Sequence, residues 1–274
     1  MRIDLHTHSN RSDGTDTPTE LVENAAARGL DVLAITDHDS TVGWDEADEA
    51  ASRVGVRLLH GIEISTELDG QSVHLLGYEF DPADADLLAE LQRVLDGRDN
   101  RLPRVLSRLQ GLGIDITEAD VERWSGNAAA SGRPHVADAL IELGVVVDRT
   151  EAFDRYLKPG RPAYVDRYAA PLRDAVRLLV AAGGRAVVAH PWSRGSDRVV
   201  TAELLAELQG LGLRGIEVDH NDHDAAARAA LRGIAADLDL VVTGSSDYHG
   251  TGKTDFDLGC NTTAPEQLER LLAP

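Results

Sequence analysis

A single cysteine, Cys260, in a chain of 274 residues rules out an internal disulfide, so stability must come from a buried core, which a chain of this length can build. Long apolar runs are also missing: stretches such as 176–182 and 187–189 are far too short to cross a bilayer. No charged-then-apolar leader opens the sequence, and the expected compartment is a reducing cytoplasm. There is no Gly-x-Ser-x-Gly elbow and no Gly-x-x-x-x-Gly-Lys-Ser/Thr loop, and Cys260 has no histidine beside it. Chemistry based on a serine or cysteine nucleophile is therefore not expected. Positive charge is scarce, leaving a formal net charge of −20, which argues against stable binding of long DNA or RNA. Divalent cations would reverse that sign locally, so the acidity fits a small anionic substrate drawn into a metal-lined pocket.

What the chain does have is histidine in the right company. Six of its ten histidines, with the three acidic candidate ligands Asp13, Glu63 and Asp247, fall in short clusters that follow apolar runs: Asp4-Leu5-His6-Thr7-His8 with Asp13, Thr36-Asp37-His38, Gly61-Ile62-Glu63, Val73-His74-Leu75, Ala189-His190-Pro191 and Ser246-Asp247-Tyr248-His249. Imidazole with carboxylate suits manganese, iron or zinc, whereas calcium and magnesium prefer oxygen. Taken singly, each has an ordinary explanation. His74 reads as a core histidine, Asp13 as a turn residue before Gly14, and Asp37 as a helix cap. Their joint occurrence at strand ends points to a multi-metal centre, because the carboxyl ends of barrel strands carry the adjustable loops. Asp4 and Asp37, each next to a candidate ligand, are expected to orient imidazoles by accepting their outer N–H.

Strand-like and helix-like segments alternate from residue 2 to about 80 and again from 162 to 274, the pattern of a parallel α/β fold. Between 81 and 161 the alternation stops. Leu87, Leu88, Leu91, Val94 and Leu95, then Leu102, Val105, Leu106 and Leu109, recur at helical spacing, which predicts a helical insertion closed by Lys158-Pro159-Gly160-Arg161-Pro162. The expected organisation is a catalytic barrel of residues 1–80 and 162–274 carrying a helical cap of residues 81–161.

The blocks Asp4-Leu5-His6-Thr7-His8-Ser9, Ser12-Asp13-Gly14, Ile35-Thr36-Asp37-His38, Gly61-Ile62-Glu63, Ala189-His190-Pro191 and Ser246-Asp247-Tyr248-His249-Gly250 resemble the PHP (polymerase and histidinol phosphatase) superfamily of metal-dependent phosphoesterases. That resemblance implies an α/β fold, a distorted seven-stranded β/α barrel. Members with a helical insertion in this position are similar to nucleoside 3′,5′-bisphosphate phosphatases. It further implies a centre of two to three divalent ions, manganese foremost, with iron or zinc as alternatives. One ion would take His6, His8, Glu63 and Asp247, a second would share Glu63 and add His74 and His190, and a third would take Asp13, His38 and His249.

Substrate contacts are less sharply marked. In Gly132-Arg133-Pro134-His135 the guanidinium can hold two phosphate oxygens and the imidazole can donate to a third, although a solvated helix N-terminus reads the same way. The same Arg-Pro-His block in the resembling phosphatases implies that Arg133 and His135 grip phosphate. His223 is the candidate for a further phosphate contact or for protonating the leaving oxygen. Arg194 and Lys253 could add positive charge; His220, which like His223 follows the strand at 215–218 and so faces the rim, could instead be a surface residue, as could His60. Tyr164, Tyr168 and Trp192 could stack on a base or simply pack. The implied reaction releases the 3′-phosphate of a nucleoside 3′,5′-bisphosphate by means of a hydroxide bridging two ions, with trimming of short RNA 5′ ends as a neighbouring activity. A histidinol-phosphate or other small phosphomonoester phosphatase and a non-catalytic PHP module are the alternatives.

Overall fold

The structure is a computed structural model that describes residues 1–274 apart from the side chain of Arg194. In chain order it comprises β1 (Ile3–Asp4), α1 (Pro18–Ala27), β2 (Val32–Ile35), α2 (Trp44–Val54), β3 (Arg57–Leu68) and β4 (Gln71–Tyr78). Four helices follow without a strand between them: α3 (Ala85–Gly111), α4 (Glu118–Ser125), α5 (Arg133–Glu142) and α6 (Arg149–Ala152). The chain then returns through β5 (Ala170–Pro171), α7 (Leu172–Ala181), β6 (Arg185–Ala189), α8 (Ala202–Gly210), β7 (Leu213–Asp219), α9 (Ala225–Asp237), β8 (Val241–Gly244) and α10 (Pro265–Leu272).

Seven strands pair in the order β1-β2-β3-β4-β6-β7-β8, with the two-residue β5 attached to β3. The sheet curls into a nearly closed barrel, and a parallel bridge between Thr7 and Tyr248 spans the seam just beyond β1 and β8. There the Asp247 N–H donates to His6 O at 2.9 Å and the His8 N–H to Tyr248 O at 2.9 Å, so the backbone bonds that close the barrel run through ligand candidates.

The expectation of a parallel sheet needs one correction. β4 runs antiparallel to both β3 and β6. The two-residue turn Asp69-Gly70, with both residues at positive φ, allows only a hairpin, whereas a parallel neighbour would need a long crossover. This reversal explains His74. It lies near the start of β4, opposite Ser65 and Ala189, so an antiparallel strand brings it to the rim that the other strands reach with their carboxyl ends.

Alternation along each strand divides the core into layers. Ile3, Val32, Ala34, Leu59, Leu76, Val187 and Val241 form an interior cluster completed by Leu268 and Leu271 of α10. A larger cluster lies between the strands and the surrounding helices; α7, for example, buries Leu172, Ala175, Val176 and Leu179 at helical spacing. The helices α3 to α6 pack on a third cluster that includes Leu102, Val105, Leu109, Val121, Val136 and Leu140. No helix among the described residues is long and apolar enough to cross a membrane.

Candidate metal centre

Glu63 is the hub of the rim. It is 1% exposed, and its Oε2 lies 3.3 Å from His6 Nε2, 3.2 Å from His8 Nε2 and 3.1 Å from His38 Nδ1. Its Oε1 lies 2.6 Å from His74 Nδ1 and 3.2 Å from His190 Nε2. Asp247 Oδ1 adds a second carboxylate 3.5 Å from His6 Nε2, 3.4 Å from His8 Nε2 and 3.5 Å from His249 Nδ1. Asp13 stands on the far side, 3.3 Å from His249 Nε2, 3.6 Å from His38 Nε2 and 3.8 Å from His8 Nδ1. All nine expected ligand residues therefore converge in one buried cluster.

The donor set fits divalent cations. Four groups have ligand atoms within 4.8 Å of one another: His8, Asp13, His38 and His249; His6, Glu63 and His190; His6, His8 and Asp247; and His38, Glu63 and His74. His6 Nε2 and His8 Nε2 face each other at 3.0 Å. Although Glu63 Oε2 is near, the buried His38 Nδ1 has no hydrogen-bond partner among the described residues, as expected of a nitrogen that needs a different kind of neighbour.

Local backbone geometry serves this convergence. His190 and Asp247 occupy positive φ, at 26° and 52°, a conformation that costs energy in non-glycine residues and that clusters at functional sites. Gly14 is required for a different reason: a Cβ there would lie 2.3 Å from the His8 carbonyl oxygen, so only glycine lets the Asp13 loop fold back over the first strand.

Burial and charge set the protonation pattern. Burial alone would push the His8 pKa down, but hydrogen bonds with Asp247 and Glu63 overcome it and raise the group to about 9. For His6, burial is likewise outweighed, by Glu217, Glu63 and Asp247, and its pKa is raised. Burial prevails at His38, lowered to about 3, and at His190, lowered to about 4, so both rings are neutral and able to coordinate at physiological pH. Burial opposes ionisation of Asp13, Glu63 and Asp247, yet the surrounding imidazoles, together with Lys253 at Asp247, hold all three carboxyls well below their usual range.

Several orienting partners differ from the expected ones. His6 Nδ1–H donates to Glu217 Oε1 at 3.1 Å; Glu217 is fully buried in β7 and also accepts the His190 N–H at 2.9 Å and the Ser245 hydroxyl. Its alternation with outward neighbours in β7 was the one available sequence signal. Asp4 does not touch an imidazole: it accepts the Ser246 N–H at 2.9 Å and the Gly259 N–H at 2.8 Å, tying two loops to β1. Asp37 accepts from the Ser9 N–H at 2.8 Å and from the Ser9 and Ser12 hydroxyls at 2.6 Å, and reaches His8 only through Ser12, whose Oγ is 3.5 Å from His8 Nδ1. His220 is not a surface residue. It is fully buried, its Nδ1 accepts the Asp222 N–H at 3.1 Å, and its Nε2–H therefore donates to Asp247 Oδ2 at 3.1 Å.

His223 is placed unfavourably for proton donation to a leaving group. Its Nδ1–H donates to Val218 O at 2.9 Å and its Nε2 accepts the Trp192 N–H at 3.2 Å, so both ring nitrogens are engaged by backbone. The Arg133–His135 block opens α5, and His135 lines a cavity with Asp13, His38, Arg98 and Ser12. Since His135 Nδ1 accepts the Gly132 N–H at 3.0 Å, the neutral ring carries its proton on Nε2. Arg133 donates to Leu157 O at 3.1 Å and lies over the rings of Phe153 and Tyr164. Lys253 forms a short ion pair with Asp247 and caps Phe256. His60 is half-buried, stacked on Trp44 and paired with Asp48 at 2.9 Å. Tyr168 donates to Glu90 and Trp192 Nε1 to Val200 O at 2.9 Å, so both pack rather than await a base. The side chain of Arg194 lies outside the described residues.

Comparison with known proteins agrees with this geometry. Residues 4–110 match the PHP domain. The chain is 39% identical, over 96% of its own length and 92% of the relative's, to a 3′,5′-nucleoside bisphosphate phosphatase of Chromobacterium violaceum. It is 35% identical, over 90% of both chains, to a 5′-3′ exoribonuclease of Haemophilus influenzae. A Bifidobacterium adolescentis crystal structure assigned as a metal-dependent phosphoesterase superposes with a TM-score of 0.94 at 36% identity, covering 98% of this chain and 95% of that one. With its ligand-bearing rim and these relatives, the chain belongs to the PHP family of metal-dependent phosphoesterases.

Proposed function

We propose that the protein hydrolyses the 3′-phosphate of nucleoside 3′,5′-bisphosphates, such as adenosine 3′,5′-bisphosphate, to leave the 5′-monophosphate. The observation that carries this reading is the five-imidazole environment of Glu63, in a chain 39% identical to a phosphatase of that specificity. His6, His8, Glu63 and Asp247 would hold one ion, Glu63, His74 and His190 a second, and Asp13, His38 and His249 a third, with manganese as the foremost candidate. Bound divalent ions supply Lewis-acid charge and a nucleophile from water at neutral pH.

The chain's own groups do the rest. Glu217, Ser193 and His220 fix the rings of His6 and His190 and the carboxylate of Asp247, so the ligand atoms need not reorganise. His135 presents its Nε2–H beside Asp13, where it can donate to a phosphoryl oxygen, and Arg133, two residues earlier at the start of the same helix, would add a planar guanidinium to the grip on phosphate. We assign the helices of residues 81–161 the role of a cap that carries these two groups and excludes water from the rim. The likeness to an exoribonuclease supports a second activity at the same centre, removal of nucleotides from short RNA 5′ ends.

The test is hydrolysis by the manganese-loaded protein, read as phosphate released from adenosine 3′,5′-bisphosphate and histidinol phosphate and as mononucleotide released from short 5′-phosphorylated RNA. The bisphosphate should be the preferred substrate. Preference for histidinol phosphate would replace this reading with a different phosphatase, and inactivity on all three would favour a non-catalytic module.

A further inference from the structure

Two of the ligands assigned to the third ion stand on loops. Asp13 ends the turn of residues 10–13 between β1 and α1, and His249 follows β8 just before Gly250. Glu63 and His74, by contrast, sit inside β3 and β4, where the strand ladder fixes them. A loop has no ladder, so its ligands depend on support from elsewhere. The Ser12 and Gly14 N–H groups donate to Ser9 O at 3.1 and 3.0 Å, which shapes the turn without attaching it to the His249 side. His249 Nδ1–H donates to Asp247 O at 2.8 Å, leaving Nε2 to face Asp13.

Outside support comes from one side chain of the helical block. Arg149, the first residue of α6, donates from Nε and Nη2 to the two carboxylate oxygens of Asp138 at 2.7 and 2.6 Å. Its Nη1 donates to the main-chain carbonyl of Asp13 at 3.1 Å. Asp138 lies on α5, three residues after His135. A Cβ on Gly252 would lie 2.2 Å from Arg149 Nη1 and 2.5 Å from Cζ, so the guanidinium occupies the space that a side chain there would need. One planar group thus rests against both the Asp13 turn and the loop after His249. A second tie to the same turn runs from the Ala129 N–H to Arg11 O at 3.0 Å.

An exposed ion pair contributes little and leaves its donors to water. This pair is different: both side chains are 13% exposed, and the bidentate grip of Asp138 fixes the plane of the fork. The remaining donor is aimed at the backbone of a ligand residue.

We propose that Arg149 is a positioning residue for the third ion. Oriented by Asp138, it holds the Asp13 turn and the His249 loop at ligating separation, so that the helical block completes this one site. The inference rests on the three-ion reading above. Ligands of the other two ions, His6, His190 and Asp247, lean instead on Glu217, Ser193 and His220 of the barrel.

Calorimetric titration of the metal-free protein with manganese tests it, using Arg149→Met and Gly252→Ala. The first removes the guanidinium, and the second keeps its charge beside Asp138 but displaces it. Each should weaken one ion by about 10- to 100-fold, as for other partners that orient metal ligands, and leave the others at parent affinity. In a His249→Ala chain, whose third site already lacks a ligand, adding Arg149→Met should change nothing further. Unchanged affinity for every ion, equal weakening of all, or a further loss in the His249→Ala chain would overturn the assignment. Should Arg149→Met fail to fold by thermal melting, Gly252→Ala alone and combined with His249→Ala decides by the same criteria. A parent protein that binds only two ions removes the third site and this role with it. A parent that binds three ions yet releases no phosphate from adenosine 3′,5′-bisphosphate refutes the proposed reaction, while a selective loss of one ion in the variants still supports the role of Arg149.

Discussion

Replacing Glu217 by glutamine should weaken metal binding although Glu217 is not itself expected to touch an ion. The carboxylate is fully buried and accepts three donors: His6 Nδ1–H, the His190 N–H and the Ser245 hydroxyl. Glutamine offers one oxygen and one NH2. With its oxygen toward His6 the NH2 confronts the His190 backbone N–H, and with the amide reversed it confronts His6. The serine hydroxyl can rotate, but neither N–H can. One buried donor is left without an acceptor, at a cost of about 1–3 kcal/mol. Burial would raise the Glu217 pKa, but His6 overcomes it and lowers the group from 4.5 to about 2. A carboxyl depressed in this way stabilises the metal-free fold above its unfolded pKa, and the contribution disappears as pH falls through the folded value; at neutral pH it amounts to about 3 kcal/mol. Loosening His6 should reduce affinity for the ion it ligates by about 10- to 100-fold, as for other partners that orient metal-bound imidazoles. Chelator competition measures that affinity, and thermal melting of the metal-free variant measures the fold. Unchanged metal affinity alongside an unchanged Tm would refute the role given to Glu217.

Other expectations follow from the same geometry. Glu63→Gln should reduce metal content more than Asp13→Asn, His38→Ala or His249→Ala, because Glu63 faces five imidazoles; full metal content and activity in Glu63→Gln would remove it as a shared ligand. Metal affinity should rise with pH up to about 9, since coordination must displace the proton that Asp247 and Glu63 hold on His8, and an isothermal titration series across that range should show proton release shrinking as pH approaches the upper limit. Conversely, the stabilisation this raised pKa gives the metal-free chain is complete below about 6.5 and fades as pH rises through about 9. Asp39→Asn keeps a residue tolerant of the φ of 57° but strips Arg98 of its counter-ion, so denaturant melts should show a loss of about 3–5 kcal/mol. Leu109→Ala, in the core of the helical block, should cost about 2–5 kcal/mol by the same measurement.

The ligand positions were legible because each sits where a strand pattern breaks, and strand ends of a barrel meet at one rim. His74 was the exception within that logic, and only the reversal of β4 accounts for it. Orienting partners were harder to read. Asp4 and Asp37 adjoin ligands in sequence, yet the barrel turns their carboxylates onto backbone N–H groups and serine hydroxyls of neighbouring loops. Glu217 and His220 lie far from His6 and Asp247 along the chain and meet them only when the strands close. Arg98 and Arg101 look like solvated helix charges among many others, and nothing local marks them as part of the buried stripe until α3 is packed. Chemistry repeated at strand ends survives in the sequence, whereas the choice of partner across the barrel is a property of closure.

The central claim is that nine imidazole and carboxylate side chains hold the divalent ions on which phosphate release depends. Its most direct test is to strip the protein with a chelator, resupply manganese, and follow both metal per chain and phosphate released from adenosine 3′,5′-bisphosphate. The account predicts that activity disappears on stripping and returns in step with two to three bound ions. Activity that survives complete removal of metal, or a fully loaded protein that releases no phosphate from any phosphomonoester, would contradict it.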